Sequence, residues 1–328
     1  MKSCSRFLVL GLAICVGCNG TARDGRAQGN KTYRERPISI IHDGWRLYGT
    51  LTTPLKEEAS IVALLLPGAG PTDRNGNSGA TVAPATLRKL AIALASEGVA
   101  SVRYDKRGVG ESRDKILHEE QLRFSHYVED AVAWIKKLKN MARFQRVVVI
   151  GHGEGALVGA MASTMEPPDA FVFLCGPGRP ADILLREQLA LNPLNKPWLT
   201  RCSNIIDSIK AGYRPNNIPP PLHGLFRASI QPYLESLFAI SPPKVFNLLH
   251  IPVLIIGGSS DIQVQKVDFD SLCARVKQAN CIYLEGMNHV LVESTPDYAS
   301  NMATYLDPQK PLSRELVENI VKFVRKLN

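Results

Sequence analysis

Seven cysteines among 328 residues are too few and too irregularly spaced to form a disulfide framework, so the fold must be carried by an apolar core. Cys4, Cys15 and Cys18 fall in the leading segment, which leaves Cys175, Cys202, Cys273 and Cys281 for one or two bridges in an oxidising compartment. Cys15-x-x-Cys18 lies inside an apolar leader, where its metal-like or redox-like spacing carries no meaning. The apolar run of that leader, residues 7–16, is about half the ~20 residues that a helix needs to cross a bilayer. No aromatic-and-basic motif accompanies the net charge of +9, so the charge reads as dispersed and solubilising, and no nucleic-acid partner is expected. No internal repeat is present, which excludes solenoids and propellers.

What is present starts with that leader. Lys2 and Arg6 precede the apolar run, the layout of an export signal over residues 1–18. Val16-Gly17-Cys18 resembles a lipoprotein cleavage box, with Cys15 where leucine is usual, so Cys18 is the expected lipid-bearing residue. Residues 19–36 are polar and read as a flexible tether. The expectation is an exported protein of the periplasm or cell envelope, in contact with the membrane through a lipid anchor or a basic surface. Removal of residues 1–17 lowers the net charge from +9 to +7.

The whole chain is 45% apolar, enough for the remainder, residues 37–328, to form one large core. Asp43-Gly44 between two β-prone runs is a hairpin signal. Strand and helix patterns then alternate: strand 61–66, helix 84–97, strand 99–104, helix 120–139, strand 146–150, helix 154–165 and strand 170–174. This predicts an α/β fold with a mainly parallel sheet covered on both faces. The alternation stops over residues 180–250, where prolines break short helical segments such as 181–191 and 203–210. That stretch is expected to be a helical lid, with Leu222, Leu225, Phe226, Tyr233, Leu237 and Phe238 packing it onto the core rather than lining an acyl pocket. Strand 252–257, helix 265–279, strand 281–284 and helix 312–327 complete the pattern. In the last helix Leu316, Ile320, Phe323 and Val324 recur at helical spacing.

Between strand 146–150 and helix 154–165 lies Gly151-His152-Gly153-Glu154-Gly155. It has the strand-to-helix layout of a nucleophile elbow, G-x-S-x-G, with glycine at the centre in place of serine. The same residues fit a G-x-G-x-x-A dinucleotide fingerprint, but that reading needs a carboxylate after the next strand, and Phe171-Val172-Phe173-Leu174 ends in Cys175-Gly176-Pro177. A Gly-rich loop follows strand 61–66, Asp261 follows strand 252–257, and His289 follows strand 281–284. The ends of parallel strands are where sites assemble in open α/β sheets.

Five segments together carry a resemblance: Pro67-Gly68-Ala69-Gly70-Pro71-Thr72-Asp73-Arg74; Arg103-Tyr104-Asp105-Lys106-Arg107-Gly108-Val109-Gly110-Glu111-Ser112; the elbow; Asp261-Ile262-Gln263-Val264; and Leu284-Glu285-Gly286-Met287-Asn288-His289. In this order they resemble the α/β-hydrolase superfamily, in its bacterial serine esterase and serine aminopeptidase-like branch. The resemblance implies that Asp261 is the triad acid, His289 the triad base, and the N–H groups of Ala69 and Glu154 the oxyanion hole. It implies no metal and no organic cofactor. Two positions depart from the branch: Pro67 stands where histidine is usual, and Gly153 stands where the nucleophilic serine belongs.

Without an oxygen at residue 153 the usual covalent step has no nucleophile. His152 and Glu154 flank the turn and are expected to point away from the site. Three readings stay open: a degenerate hydrolase that binds a ligand in the old pocket, a weak hydrolase of small esters or amides in which Asp261 and His289 activate water, and an esterase whose serine was lost from this copy. The first is the leading one.

Overall fold

A computed structural model describes residues 32–79, 82–113, 118–276 and 278–327. The expected leader, with Cys18, lies outside the described residues. The expected tether ends before residue 36, because strand β1 (Tyr33–His42) starts at Tyr33. Its partner β2 (Trp45–Pro54) is long enough to pair Tyr33 with Pro54, so the charged residues 34–36 sit on an edge strand, where Glu35 accepts from the buried Arg103 Nη2 at 2.5 Å. Asp43 and Gly44 both take positive φ, 49° and 69°, as the two-residue hairpin turn requires.

The remaining strands are β3 (Ile61–Leu66), β4 (Ala100–Tyr104), β5 (Arg146–His152), β6 (Ala170–Leu174), β7 (Val253–Gly258) and β8 (Ala279–Leu284). They form one eight-stranded sheet in the order β1-β2-β4-β3-β5-β6-β7-β8, antiparallel at β1–β2–β4 and parallel from β4 to β8. The central strands are buried on both faces, and the period of two divides them between two cores. Val62, Leu64, Leu66, Val147 and Val149 belong to one core, and Ile61, Ala63, Leu65, Val148 and Ile150 to the other.

Helices α1 (Thr86–Ser96), α2 (Phe124–Lys139) and α3 (Glu154–Met165) fill the first crossovers. The insertion consists of α4 (Ala181–Leu191), α5 (Leu199–Lys210), α6 (His223–Phe226), α7 (Gln231–Phe238) and α8 (Pro242–Phe246), joined by 3₁₀ turns. All six of its singled-out apolar residues pack into the first core, and Leu237 and Phe238 also line the cleft below. Helix α9 (Lys266–Cys273) is shorter than the sequence pattern predicts, since β8 already begins at Ala279. A disulfide joins Cys273 at its end to Cys281 in β8, while Cys175 and Cys202 are buried and free.

The short α10 (Tyr298–Ala303) was not expected from the sequence. Its six residues are too few to show a period, and its one local signal is Asp297, whose side chain caps it by accepting from Ser300 N–H. In α11 (Arg314–Arg325), Leu316, Ile320 and Val324 are buried as anticipated, but Val321 takes the buried place expected for Phe323, which is only partly covered.

Candidate active site

The ends of β3, β5, β7 and β8 converge on one cleft, and each site residue stands just beyond a strand. Strand β5 ends at His152, and Gly153 turns the chain into α3 with φ 55° and ψ −123°. That φ strains any residue with a side chain, and glycine adopts it freely. A close approach fixes Gly155 too: a Cβ there would collide with the carbonyls of Leu66 and Pro67. The elbow is therefore pressed against the end of β3.

His289 follows β8 and Asp261 follows β7. His289 Nδ1 donates to Asp261 Oδ2 at 2.9 Å, and the residues are 8% and 9% exposed. The other carboxylate oxygen, Oδ1, accepts the N–H groups of Gln263 and Val264 at 2.8 and 2.9 Å. The acid is thus held at both oxygens. In a neutral ring its acceptance of Nδ1–H leaves Nε2 without a proton. An ideal Cβ on Gly153 would lie 3.2 Å from that Nε2 and 3.7 Å from Gly68 Cα. The sequence reasoning brought residues 153, 261 and 289 together through family likeness; the structure joins His289 to Asp261 and sets its ring beside the turn at Gly153.

Asn301 of α10 ties the acid loop to the base loop. Its Nδ2 donates to Ser260 O at 2.7 Å, and its Oδ1 accepts from Asn288 Nδ2 at 3.2 Å. Asn288 and Asn301 are fully buried, so these bonds form without competition from water.

His152 corrects an expectation. Its ring does not point away but packs on His289, centroids 4.8 Å apart, and its Nε2–H donates to His289 O at 2.7 Å. The sharp turn brings the end of β5 under the loop after β8, whose main-chain carbonyl needs a donor. Burial, reinforced by the neighbouring His289, pulls the His152 imidazole down to about 4, so it stays neutral near pH 7. The Glu154 side chain turns instead to Lys106, with Oε1 to Nζ at 3.5 Å.

Lys106 is the functional residue that sequence reasoning missed. Its buried Nζ donates to the carbonyls of Gly68 at 2.5 Å and Gly70 at 3.0 Å, and sits 4.8 Å over the Tyr127 ring. Burial lowers its proton affinity and the Glu154 charge opposes that shift. In a trans peptide the C=O and N–H point in opposite directions. The grip on Gly68 O therefore turns the Ala69 N–H away from Lys106. Asp105 steadies the same loop by accepting from Arg74 N–H at 2.7 Å and Glu111 N–H at 2.9 Å. Its position in a charged run of the second motif was the available signal, but charge alone does not separate a clamp from a solvated side chain. Among the described residues, neither Ala69 N–H nor Glu154 N–H has a hydrogen-bond partner.

The cavity between these groups and the helical insertion measures about 150 Å³. Gly68, Ala69, Gly153 and His289 form its floor, and Leu157, Leu184, Leu185, Leu234 and Phe238 are among its apolar walls. Cys175 sits behind Asp261, and burial together with the carboxylate pushes its thiol well above the ordinary range, so it is protonated and not a nucleophile. Among the described residues no three His, Cys, Asp or Glu side chains are grouped to hold a metal ion.

A family model described as "Alpha/beta hydrolase family" matches residues 63–299. This chain belongs to that family. It is 27% identical over 277 residues to the esterase EstD of Thermotoga maritima, a match that covers 81% of the chain and 63% of that relative, so the chain spans less than two thirds of its length. The fold is similar to that of Est1E from Butyrivibrio proteoclasticus, solved with ferulic acid bound, with a TM-score of 0.60, 16% identity, and 88% and 98% of the two chains covered. It is also similar to an esterase from Pyrococcus furiosus, with a TM-score of 0.58, 18% identity, and 92% and 96% covered. An α/β-hydrolase with a mostly parallel eight-stranded sheet, related to esterases, is what these likenesses and the topology establish.

The buried neutral His152 makes stability pH-dependent. A histidine free in the unfolded chain takes up its proton near 6.5, and His152 in the fold does so near 4. The unfolded state therefore binds more protons between these values, and the stabilisation present above 6.5 is lost as pH falls through this window. Urea unfolding at pH 7 and pH 4.5 is expected to show that His152→Gln removes about 2–3 kcal/mol of the acid-induced loss. An equal loss in both proteins contradicts the assignment.

Proposed function

We propose that this chain is a catalytically impaired relative of the serine esterases, whose old active-site cleft binds a small ligand without forming an acyl-enzyme. The observation that carries this reading is the absence of any side chain at Gly153, at the point of the turn that lies against His289. An ideal Cβ there would lie 3.2 Å from His289 Nε2, and glycine brings no oxygen to that nitrogen. In serine hydrolases the base takes a proton from a hydroxyl, which then attacks the acyl carbon; with no hydroxyl the acyl intermediate has no oxygen to form on. Cys175 offers no substitute, because its thiol is committed to Asp261. The esterase names of the relatives favour an ester or its fragments as the ligand class, with an amide as the alternative.

One observation favours a second reading. The Asp261–His289 hydrogen bond is intact at 2.9 Å, so Nε2 could accept a proton from a water held where the hydroxyl is missing. Ala69 and Glu154 N–H groups would then meet the developing oxyanion. Hydrolysis of a small ester or amide would proceed in one step, without covalent attachment.

The chain is further proposed to be exported and anchored at Cys18, in contact with the membrane. The Cys273–Cys281 bridge supports an oxidising compartment. In the producing cell, Cys18→Ala is expected to shift the protein from the membrane to the soluble fraction; an unchanged distribution would remove the anchor.

Hydrolysis of short nitrophenyl esters by the native protein, Gly153→Ser and His289→Ala, alongside a fluorophosphonate probe, separates the two catalytic readings. The native protein is expected to match His289→Ala and to remain unlabelled. Gly153→Ser is expected to gain turnover by on the order of 10³-fold or more and to react with the probe. It should also lose about 1–3 kcal/mol of stability, since a side chain must adopt the positive φ. Native turnover that disappears in His289→Ala sinks the binding reading and supports the water-based one.

A further inference from the structure

We propose that the cleft is a site for free carboxylates carrying a compact apolar tail, selected over the corresponding esters and amides. This rests on the reading of Gly153 as a vacated nucleophile position. Three independent features converge there. His289 is 8% exposed, and its Nε2, without a hydrogen-bond partner among the described residues, faces Gly153. Among the described residues the N–H groups of Ala69 and Glu154 also have no partner, and the second opens the twelve-residue helix α3 at its positive end. Gly153 brings no hydroxyl to Nε2, although a Cβ there would lie only 3.2 Å from it.

A carboxylate has two oxygens to place, and the site has two places. One oxygen takes the position of the missing hydroxyl against Nε2, and the other accepts the orphan N–H groups. An ester or amide offers its carbonyl oxygen to the N–H groups, but its second heteroatom carries no charge and gains little at Nε2. The bound acid keeps one proton between its oxygen and Nε2. Binding of the ionised acid to the neutral ring therefore takes one proton from solvent.

The surrounding charges permit this. Asp261, from the loop after β7, faces Nδ1 on the far side of the ring and stabilises the added proton. His152, from the end of β5, is held neutral by burial. Cys175, after β6, remains a thiol. Glu154, from α3, lines the cavity, but its carboxylate is drawn to Lys106 from the loop after β4. Tyr305, near α10, keeps its hydroxyl on Gln263 Nε2 at 2.9 Å. No unpaired negative side chain among these faces the incoming acid.

The walls set the tail. Leu157, Leu184, Leu185, Leu234 and Phe238 are among the walls of a cleft of about 150 Å³ in all, head group included, and a cavity of that size admits a ligand as large as benzene. A phenyl or short branched acid fits, and a long chain must extend out of the cleft.

Calorimetric titration of the native protein with phenylacetate, phenylacetamide and methyl phenylacetate tests the proposal. Phenylacetate is expected to bind at least about tenfold tighter than the amide, with net proton uptake read from two buffers of different ionisation enthalpy. Its affinity should fall with rising pH in proportion to that uptake. Gly153→Ser should weaken the acid more than the amide, and His289→Gln should abolish the preference while a thermal melt reports folding. Equal binding of acid and amide, no binding of either, or an unchanged acid affinity in Gly153→Ser overturns the carboxylate site. Methyl ester hydrolysis by the native protein would instead overturn the non-catalytic reading beneath it.

Discussion

The hydrogen bond from His289 to Asp261 is the constraint from which the rest of the site follows. It fixes which imidazole nitrogen carries the proton and orients the other toward Gly153. Asp261 can serve because its second oxygen is already taken by two backbone N–H groups, so the carboxylate cannot swing. The Asn301–Asn288 link then keeps the two loops in register behind it. Such a buried network is rigid when every member is paired, and this one is.

The opposite wall is held by charge. Lys106 is fully enclosed, which disfavours its ammonium, yet three oxygen atoms and an aromatic face surround it. Its partners are loop carbonyls and the elbow residue Glu154, so one side chain joins the loop after β3 to the start of α3, whose Ala69 and Glu154 N–H groups have no partner among the described residues. The site is preorganised for negative charge. At the centre of the elbow, Gly153 carries no side chain.

Much of this fold could be read from residue order. Buried strands announce themselves as unbroken Val, Ile and Leu runs, and Asp43-Gly44 marks the hairpin at the sheet edge. Gly153, Asp261 and His289 could be placed at one sheet edge because each follows a strand in a parallel sheet, where the C-terminal ends meet by topology. The unread features depend on tertiary contact. Nothing in the neighbourhood of His152 shows that its ring will meet a carbonyl 137 residues away. Lys106 looks like a surface charge until the loop after β3 folds over it. Tyr33 to Arg36 look like tether because their polarity hides an edge strand that β2 completes. Helix α10 is too short to carry a period, although Asn301 within it proves structurally important.

The central claim is that residue 153 faces the unprotonated nitrogen of His289. The most direct measurement is the alkylation rate of the thiol introduced by Gly153→Cys, followed with iodoacetamide from pH 5 to pH 9. If the claim holds, the thiol gives up its proton to His289 and reacts as a thiolate well below the ordinary thiol range near 8.5. That acid-side reactivity disappears when His289→Ala is added. A rate that follows an ordinary thiol, and that is indifferent to His289, contradicts the account.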